Sequence, residues 1–116
     1  MEKSHQNLKN KLEKISEIEG VFGVFAYEDN GKIYSKISSE KILKNFEHIN
    51  EKLYELCSNI DGLIEEINLS LKDSVIQFSE NFKIILLRKR ESDHNYKLCF
   101  LTSRYMDVIS IRKYID

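Results

Sequence analysis

The stretch that decides the fold is residues 19–36, EGVFGVFAYEDNGKIYSK, in which two runs of strand-forming residues flank an Asn-Gly pair. The first run covers residues 21–26, and the second covers residues 32–37 with Ile and Tyr at strand spacing. Asn30 and Gly31 are residue types that accept a positive φ, which a two-residue hairpin turn requires at both central positions. The pattern predicts a β-hairpin whose turn depends critically on Asn30 and Gly31.

The glycines and the lysine of this stretch also raise the question of a phosphate-binding loop. A P-loop has the pattern G-x-x-x-x-G-K-[ST], in which backbone N–H groups surround the phosphates and the hydroxyl reaches magnesium. Ala26 and Ile33 occupy the positions of the first glycine and of the hydroxyl residue. No helix is predicted directly after Gly20 and Gly23, so the dinucleotide fingerprint is absent as well. The stretch is therefore predicted to be scaffold, and the sequence predicts no cofactor.

Composition limits the class of protein. The chain has 116 residues, of which 41% are hydrophobic, and we expect one domain over residues 1–116 with its own core. A net charge of −1 argues against a general nucleic-acid-binding protein, which normally has a clear basic excess. No run approaches the roughly 18 consecutive apolar residues of a membrane-spanning helix, and the polar N-terminus does not resemble a signal peptide. The sequence predicts a cytoplasmic protein with no nucleic-acid partner and no membrane span.

Hydrophobic periodicity predicts the element order α-β-β-α-β-β-β. A narrow apolar stripe predicts a first helix over residues 4–18, and a longer stripe predicts a second helix from residue 38 to near residue 66. Three further strands are predicted over residues 74–79, 82–89 and 96–103. The final segment, residues 104–116, is compatible with a short C-terminal helical extension.

Apolar side chains point to both faces of the predicted strands. In FKIILLRK, residues 82–89, Ile84 and Leu86 point to one face, and Ile85 and Leu87 point to the other. An antiparallel sheet with one solvated face would alternate apolar and polar residues instead. We therefore predict an α/β (α+β) fold, a three-layer α/β/α sandwich around a five-stranded, mostly antiparallel sheet. On the first strand, the same counting places Phe22 and Val24 on one face and Val21 and Phe25 on the other.

The sequence contains no residue pattern typical of a catalytic or metal site. His5, His48 and His94 are not at metal-ligand spacing, and no Cys-x-x-Cys pair occurs. Cys57 and Cys99 lie within apolar patterns, where burial raises the pKa of a thiol and makes it a poor nucleophile. We predict that the protein is not an enzyme, with no catalytic residues, no metal and no cofactor.

The strongest charge run is Arg88–Arg90, at the end of the fourth predicted strand. We interpret this run as a solubilising hairpin tip that leads into a turn over residues 91–95. The alternative interpretation is a contact with an anion or with nucleic acid, which would show a steep dependence on salt.

The predicted third strand suggests a protein–protein contact. Residues 74–79 contain no Pro or Lys that would discourage pairing with another strand. On the second helix, Leu43, Tyr54 and Cys57 lie to one side of the core-facing stripe. We predict that two copies join through these two features, with an interface of Leu43, Tyr54, Cys57, Val75, Gln77 and Ser79. The alternative is that Leu43 and Tyr54 widen the contact with the chain's own sheet.

The element order and two stretches of sequence resemble the roadblock/dynein light-chain family. An amphipathic helix, LKNKLEKI, leads into IEGVFGVFAYEDNGKIYSK, which is similar to the family's Gly-Val-x-Gly start, apolar strand, Asp/Glu-x-Gly turn and second strand. The stretch VIQFSENFKIILLRKRESDHNYKLCFLT is similar to the family's three closing strands. The resemblance covers residues 4–103, and the tail from Arg104 exceeds the minimal version of the fold.

The resemblance implies a non-enzymatic dimeric adaptor or regulator, in which the third strands and second helices of two chains form the dimer. It implies a Ras-like small GTPase or a related signalling protein as the partner, and it leaves both a homodimer and a heterodimer with another roadblock-like chain open. A second class also remains open, a small-ligand sensor of profilin-like or PAS-like type. Such a sensor needs an apolar cavity of at least about 300 Å³.

Overall fold

The computed structural model describes residues 2–28, 31–38, 51–52, 54–56, 58–60, 62, 73–77, 82–91 and 94–115. Helical residues 51–52, 54–56, 58–60 and 62 are called α2 here. The other elements are α1 (Glu2–Ser16), β1 (Val21–Glu28), β2 (Gly31–Ile37), β3 (Asp73–Gln77), β4 (Phe82–Glu91), β5 (His94–Ser103) and α3 (Val108–Ile115). The rest of the predicted second helix, residues 39–50, 53, 57, 61 and 63–66, lies outside the described residues.

The strands form one open sheet in the order β2-β1-β5-β4-β3, and every neighbouring pair is antiparallel. The prediction of a mixed α/β fold with an antiparallel sheet is therefore confirmed. β4 and β5 are longer than predicted, because pairing continues to Glu91 opposite His94. The charge run Arg88–Arg90 consequently lies within a paired strand near the β4–β5 connection, and the prediction of a turn over residues 91–95 is wrong. The interpretation of the run as solubilising stays a prediction.

The first hairpin pairs β1 with β2, and its register differs from the predicted turn. Glu28 pairs with Gly31, so Gly31 is the first residue of β2, and residues 29–30 separate the two strands. Gly31 has a φ of 121°, which side-chain-bearing residues rarely adopt. Asn30 lies outside the described residues, so its role in the turn stays a prediction.

Each face of the sheet is covered by helices. On one face, α1 and α3 pack against the sheet in a cluster that contains Leu8, Leu12, Ile15, Ile85, Leu87, Leu98, Phe100, Ile111 and Ile115. On the other face, α2 packs through Tyr54, Leu56 and Ile60 against a cluster that contains Phe25, Tyr27, Ile84, Leu86, Cys99 and Leu101. The predicted division of β4, with alternate residues facing opposite layers, is confirmed.

β1 departs from strict alternation at its start. The register between β1 and β5 shifts between Val21 and Gly23, so Phe22 is an extra residue in β1. Val21 and Val24 therefore share the face of α1 and α3, whereas Phe22 and Phe25 pack on the face of α2. The prediction that Phe22 and Val24 share a face is wrong, because simple counting assumes a strand without a bulge.

α3 is held at both of its ends. The backbone N–H of Ser110 donates a hydrogen bond of 2.7 Å to Oδ1 of Asp107, which is the N-cap position. This hydrogen bond holds the pKa of the Asp107 carboxyl below its usual value. At the other end, Nζ of Lys11 donates to the carbonyl of Ile115 at 3.0 Å. Ile111 and Ile115 are fully buried, so the C-terminal segment contributes to the core.

Two glycines provide a matched pair for testing backbone conformation. A Cβ atom at Gly31 or at Gly62 would have no heavy atom within 4 Å, so packing does not distinguish the two sites. Gly31→Ala is expected to lower the free energy of unfolding by about 1–3 kcal/mol, because its φ is positive. Gly62→Ala in α2 is expected to raise it by about 0.5–1 kcal/mol. Urea unfolding measures both, and a Gly31→Ala chain of unchanged stability would contradict the expectation.

The Asp107 cap predicts a pH dependence of stability. Because its pKa is lowered in the folded chain, the charged cap stabilises the fold above the ordinary aspartate pKa of about 3.9. This stabilisation is lost as the pH falls through the lower folded value. Asp107→Asn keeps a capping oxygen without the titration. We expect the stability difference between the two chains to be constant above about pH 5 and to shrink below it. Denaturant unfolding across this pH range checks the expectation, and a constant difference would contradict it.

Candidate interaction site

The structure describes three of the six residues predicted for the dimer interface. Tyr54 lies in α2, and the backbones of Val75 and Gln77 lie in β3. The other three, Leu43, Cys57 and Ser79, lie outside the described residues.

Tyr54 packs on the chain's own sheet. Its ring meets the ring of Tyr27 edge to face, with centroids 5.4 Å apart and an interplanar angle of 67°. Tyr27 belongs to β1, which is separated from β3 by β5 and β4. At the usual spacing of neighbouring strands, β1 and β3 are about 14 Å apart. The structure therefore does not bring Tyr54 next to Val75 and Gln77, and it favours the alternative in which Tyr54 widens the intrachain contact.

The two edges of the described sheet differ in how well they accept another strand. β2 carries exposed Lys32 and Lys36, and its register with β1 shifts between Ala26 and Tyr27. Exposed lysines and bulges both discourage pairing with a further strand. β3 pairs with β4 on one side, and its sequence DSVIQ contains neither lysine nor proline. Of these two edges, β3 is the better candidate for a contact between chains.

A cleft of about 270 Å³ lies beside Tyr54. It is lined by Tyr27, Gly31, Lys32, Glu51, Tyr54 and Glu55. Half of the lining residues are charged, and Lys32, Glu51 and Glu55 are exposed. A ligand sensor needs an apolar cavity of about 300 Å³ or more, so this cleft does not favour the sensor alternative.

The described residues offer little for metal or covalent chemistry. Among them, no group of three or more His, Cys, Asp or Glu side chains lies close enough to hold a metal ion. Cys99 is fully buried. His94 lies 3.6 Å from Glu28 and stacks on Tyr96 with ring centroids 6.0 Å apart. Within the described parts of the chain, no helix is both long and apolar enough to span a bilayer.

Sequence reasoning missed a cluster of cations that the sheet assembles from three strands. Lys97 of β5 is directly opposite Arg88 of β4 and directly opposite Tyr27 of β1. Tyr27 is in turn opposite Lys32 of β2. The only sequence signal was the run Arg88–Arg90, because the other cations join it through the register of the strands.

An open antiparallel sheet with helices on both faces is compatible with the roadblock fold. The solved structure of Myxococcus xanthus MglB, a roadblock/longin-like GTPase-regulating protein, is similar to this chain with a TM-score of 0.70. The match covers 99% of this chain and 84% of that chain at 11% sequence identity, so the likeness concerns the fold alone. No protein-family model and no curated protein matches the sequence. The resemblance in fold that the sequence indicates is confirmed.

Proposed function

We propose that this chain is a non-enzymatic regulator of a Ras-like small GTPase, and that it acts in the cytoplasm as a dimeric adaptor. The observation that carries the proposal is the fold shared with MglB, a GTPase-regulating protein, over 99% of the chain. The motif resemblance of residues 4–103 supports the same class of protein.

Regulation of this kind acts through differential affinity. A binding protein shifts a GTPase between its nucleotide states only by the difference in its affinity for the two states. A tenfold preference for one state corresponds to about 1.4 kcal/mol. The proposed mechanism therefore needs a contact surface that distinguishes the nucleotide states, and it needs no catalytic residue in this chain.

The proposed dimer uses the edge of β3. Val75 and Gln77 lie in this strand, and the proposed interface includes Leu43, Cys57 and Ser79, as the sequence predicts. Main-chain groups of an edge strand pair with a second strand largely independently of side chains. Pairing of two β3 strands would join two sheets and create one helical surface from both chains. Tyr54 contacts Tyr27 of its own chain, which supports assigning it to the fold.

The GTPase proposal predicts binding that depends on the bound nucleotide. Small GTPases encoded by the same genome, each loaded with GDP or with a non-hydrolysable GTP analogue, would be titrated with the purified chain by calorimetry. We expect at least one GTPase to bind, with an affinity difference of about tenfold or more between its nucleotide states. Binding with equal affinity to both states would refute regulation by state selection. Absence of binding in both states for every GTPase would refute the proposed partner class.

The dimer proposal predicts that charge at β3, but not at α2, separates the chains. Gln77→Lys places a positive charge on each of the two β3 strands in the proposed pair, and these charges repel each other. We expect this variant to be a folded monomer in sedimentation velocity. Tyr54→Arg adds the same charge over β1 and is the matched control. It is expected to remain a dimer while losing the aromatic pair with Tyr27, which is worth about 0.5–1.5 kcal/mol beyond its buried area. If the Gln77→Lys chain is a dimer and the Tyr54→Arg chain is a monomer, the dimer interface does not lie at β3.

A further inference from the structure

The exposed large apolar side chains of the described residues all lie in one segment, the turn after β5 and the helix α3. Tyr105 is 78% exposed and Ile109 is 70% exposed, whereas Tyr114 is 47% exposed. Tyr105 lies in the turn, Ile109 in the first turn of α3, and Tyr114 in its last turn. Exposed apolar groups that are concentrated in one segment indicate a contact surface. Tyr105 and Ile109 are called the apolar patch below.

The apolar patch lies beside the β3 edge of the sheet. Nζ of Lys83 donates a hydrogen bond of 3.0 Å to the carbonyl of Met106, the residue that follows Tyr105. Lys83 belongs to β4 and is directly opposite Gln77 of β3. The turn that carries Tyr105 is therefore tied to the strand next to the edge, one strand spacing of about 5 Å from β3.

α3 leads away from this edge toward α1. At its last residue, Nζ of Lys11 in α1 donates to the carbonyl of Ile115 at 3.0 Å. α1 contacts β1 and β2, which lie at the opposite side of the sheet from β3. The apolar patch thus occupies the end of the segment that is nearer to β3, and Tyr114 occupies the end that is nearer to α1.

Tyr105 is held in its exposed position by the residue before it. The guanidinium of Arg104 lies over the Tyr105 ring, 4.7 Å from the ring centroid, and donates a hydrogen bond to the Tyr105 hydroxyl. A side chain that is already ordered loses less conformational entropy when a partner covers it. Tyrosine is also among the residue types that contribute most to binding at protein interfaces.

Pairing of two β3 strands alone makes a small contact. β3 has five residues, so it is about 17 Å long. A stable interface of standard size buries about 800 Å² on each chain and involves about 20–30 residues a side. Strand pairing therefore needs further contacts from the helices on either side of the edge. On the side that α1 and α3 cover, the apolar patch is the nearest exposed apolar surface among the described residues.

We propose that the apolar patch packs against a second copy of this chain when the two β3 strands pair. The inference rests on the proposed dimer and adds residues to its interface. A two-fold axis presents the same surface from each chain, so Tyr105 and Ile109 of both copies would be buried. The two β4 strands would lie three strand spacings apart, about 14 Å. This separation is only a little larger than the roughly 8–10 Å between packed helices, and large side chains would fill the difference.

The first test measures the dissociation constant of the dimer by sedimentation velocity of the purified chain over a range of concentrations. We expect Ile109→Lys to weaken the dimer by about tenfold or more, because each copy would bury a charge in an apolar contact. Tyr114→Lys makes the same change in net charge at the other end of α3 and is expected to leave the constant unchanged. Circular dichroism checks that both variants are folded.

The second test uses photo-crosslinking and keeps an aromatic side chain at each position. With p-benzoylphenylalanine in place of Tyr105, ultraviolet light is expected to give a covalent dimer. The same replacement of Tyr114 is expected to give none. Adding Gln77→Lys to the chain with the Tyr105 replacement should abolish the crosslink, because strand pairing brings the two copies together.

Failure of the apolar patch is distinguishable from failure of the proposed dimer. A chain that is monomeric at every concentration would refute both. A dimer that Gln77→Lys separates, but whose dissociation constant is unchanged by Ile109→Lys, would overturn the role of the apolar patch alone. Equal weakening by Ile109→Lys and Tyr114→Lys would also overturn it, because the effect would then follow the net charge and not the contact.

Discussion

The structure depends on the burial of apolar side chains on both faces of one antiparallel sheet. In β4, Ile84 and Leu86 face α2, whereas Ile85 and Leu87 face α1 and α3. Each such side chain gains about 1.5–3 kcal/mol on full burial, so neither face of the strand is stable in water. The helices are therefore required as cover, and many combinations of apolar residues satisfy the requirement. This tolerance explains how the chain shares a fold with MglB at 11% identity.

Regular alternation made most of the fold predictable. In β4 and β5 every buried residue lies on the face that counting assigns, because both strands pair without interruption. Counting fails at Phe22, where a bulge against β5 adds one residue to β1. A bulge depends on how two strands meet in space, and the one local signal was Gly23, since glycine within a strand often marks such a site. The hairpin register was mispredicted for a similar reason. Gly31 has the positive φ that is typical of a turn residue, but it lies in the paired part of β2.

The candidate surfaces were less predictable than the fold. The helical period gives the angle of Tyr54 around α2, but it does not tell which half of the sheet that side of the helix covers. The charged residues Arg88–Arg90 indicated the end of a strand that leads into a turn, yet a two-stranded ribbon with exposed residues has no apolar pattern to mark where it ends. The contribution of Lys32 and Lys97 follows only from the register of four strands. Sequence reasoning finds such residues one at a time and not as a surface.

Covering both faces of the sheet also limits where recognition can occur. With the faces covered by helices, a partner would contact the sheet at its edges or bind the outer surface of the helices. Exposed lysines and a bulge discourage β2 from pairing with a further strand. β3 is therefore the edge suited to the proposed pairing of chains. Main-chain pairing at an edge tolerates changes of sequence, whereas a charged surface selects its partner by sign and spacing. In the proposed arrangement, the assembly of two chains and the recognition of a partner would depend on different residues.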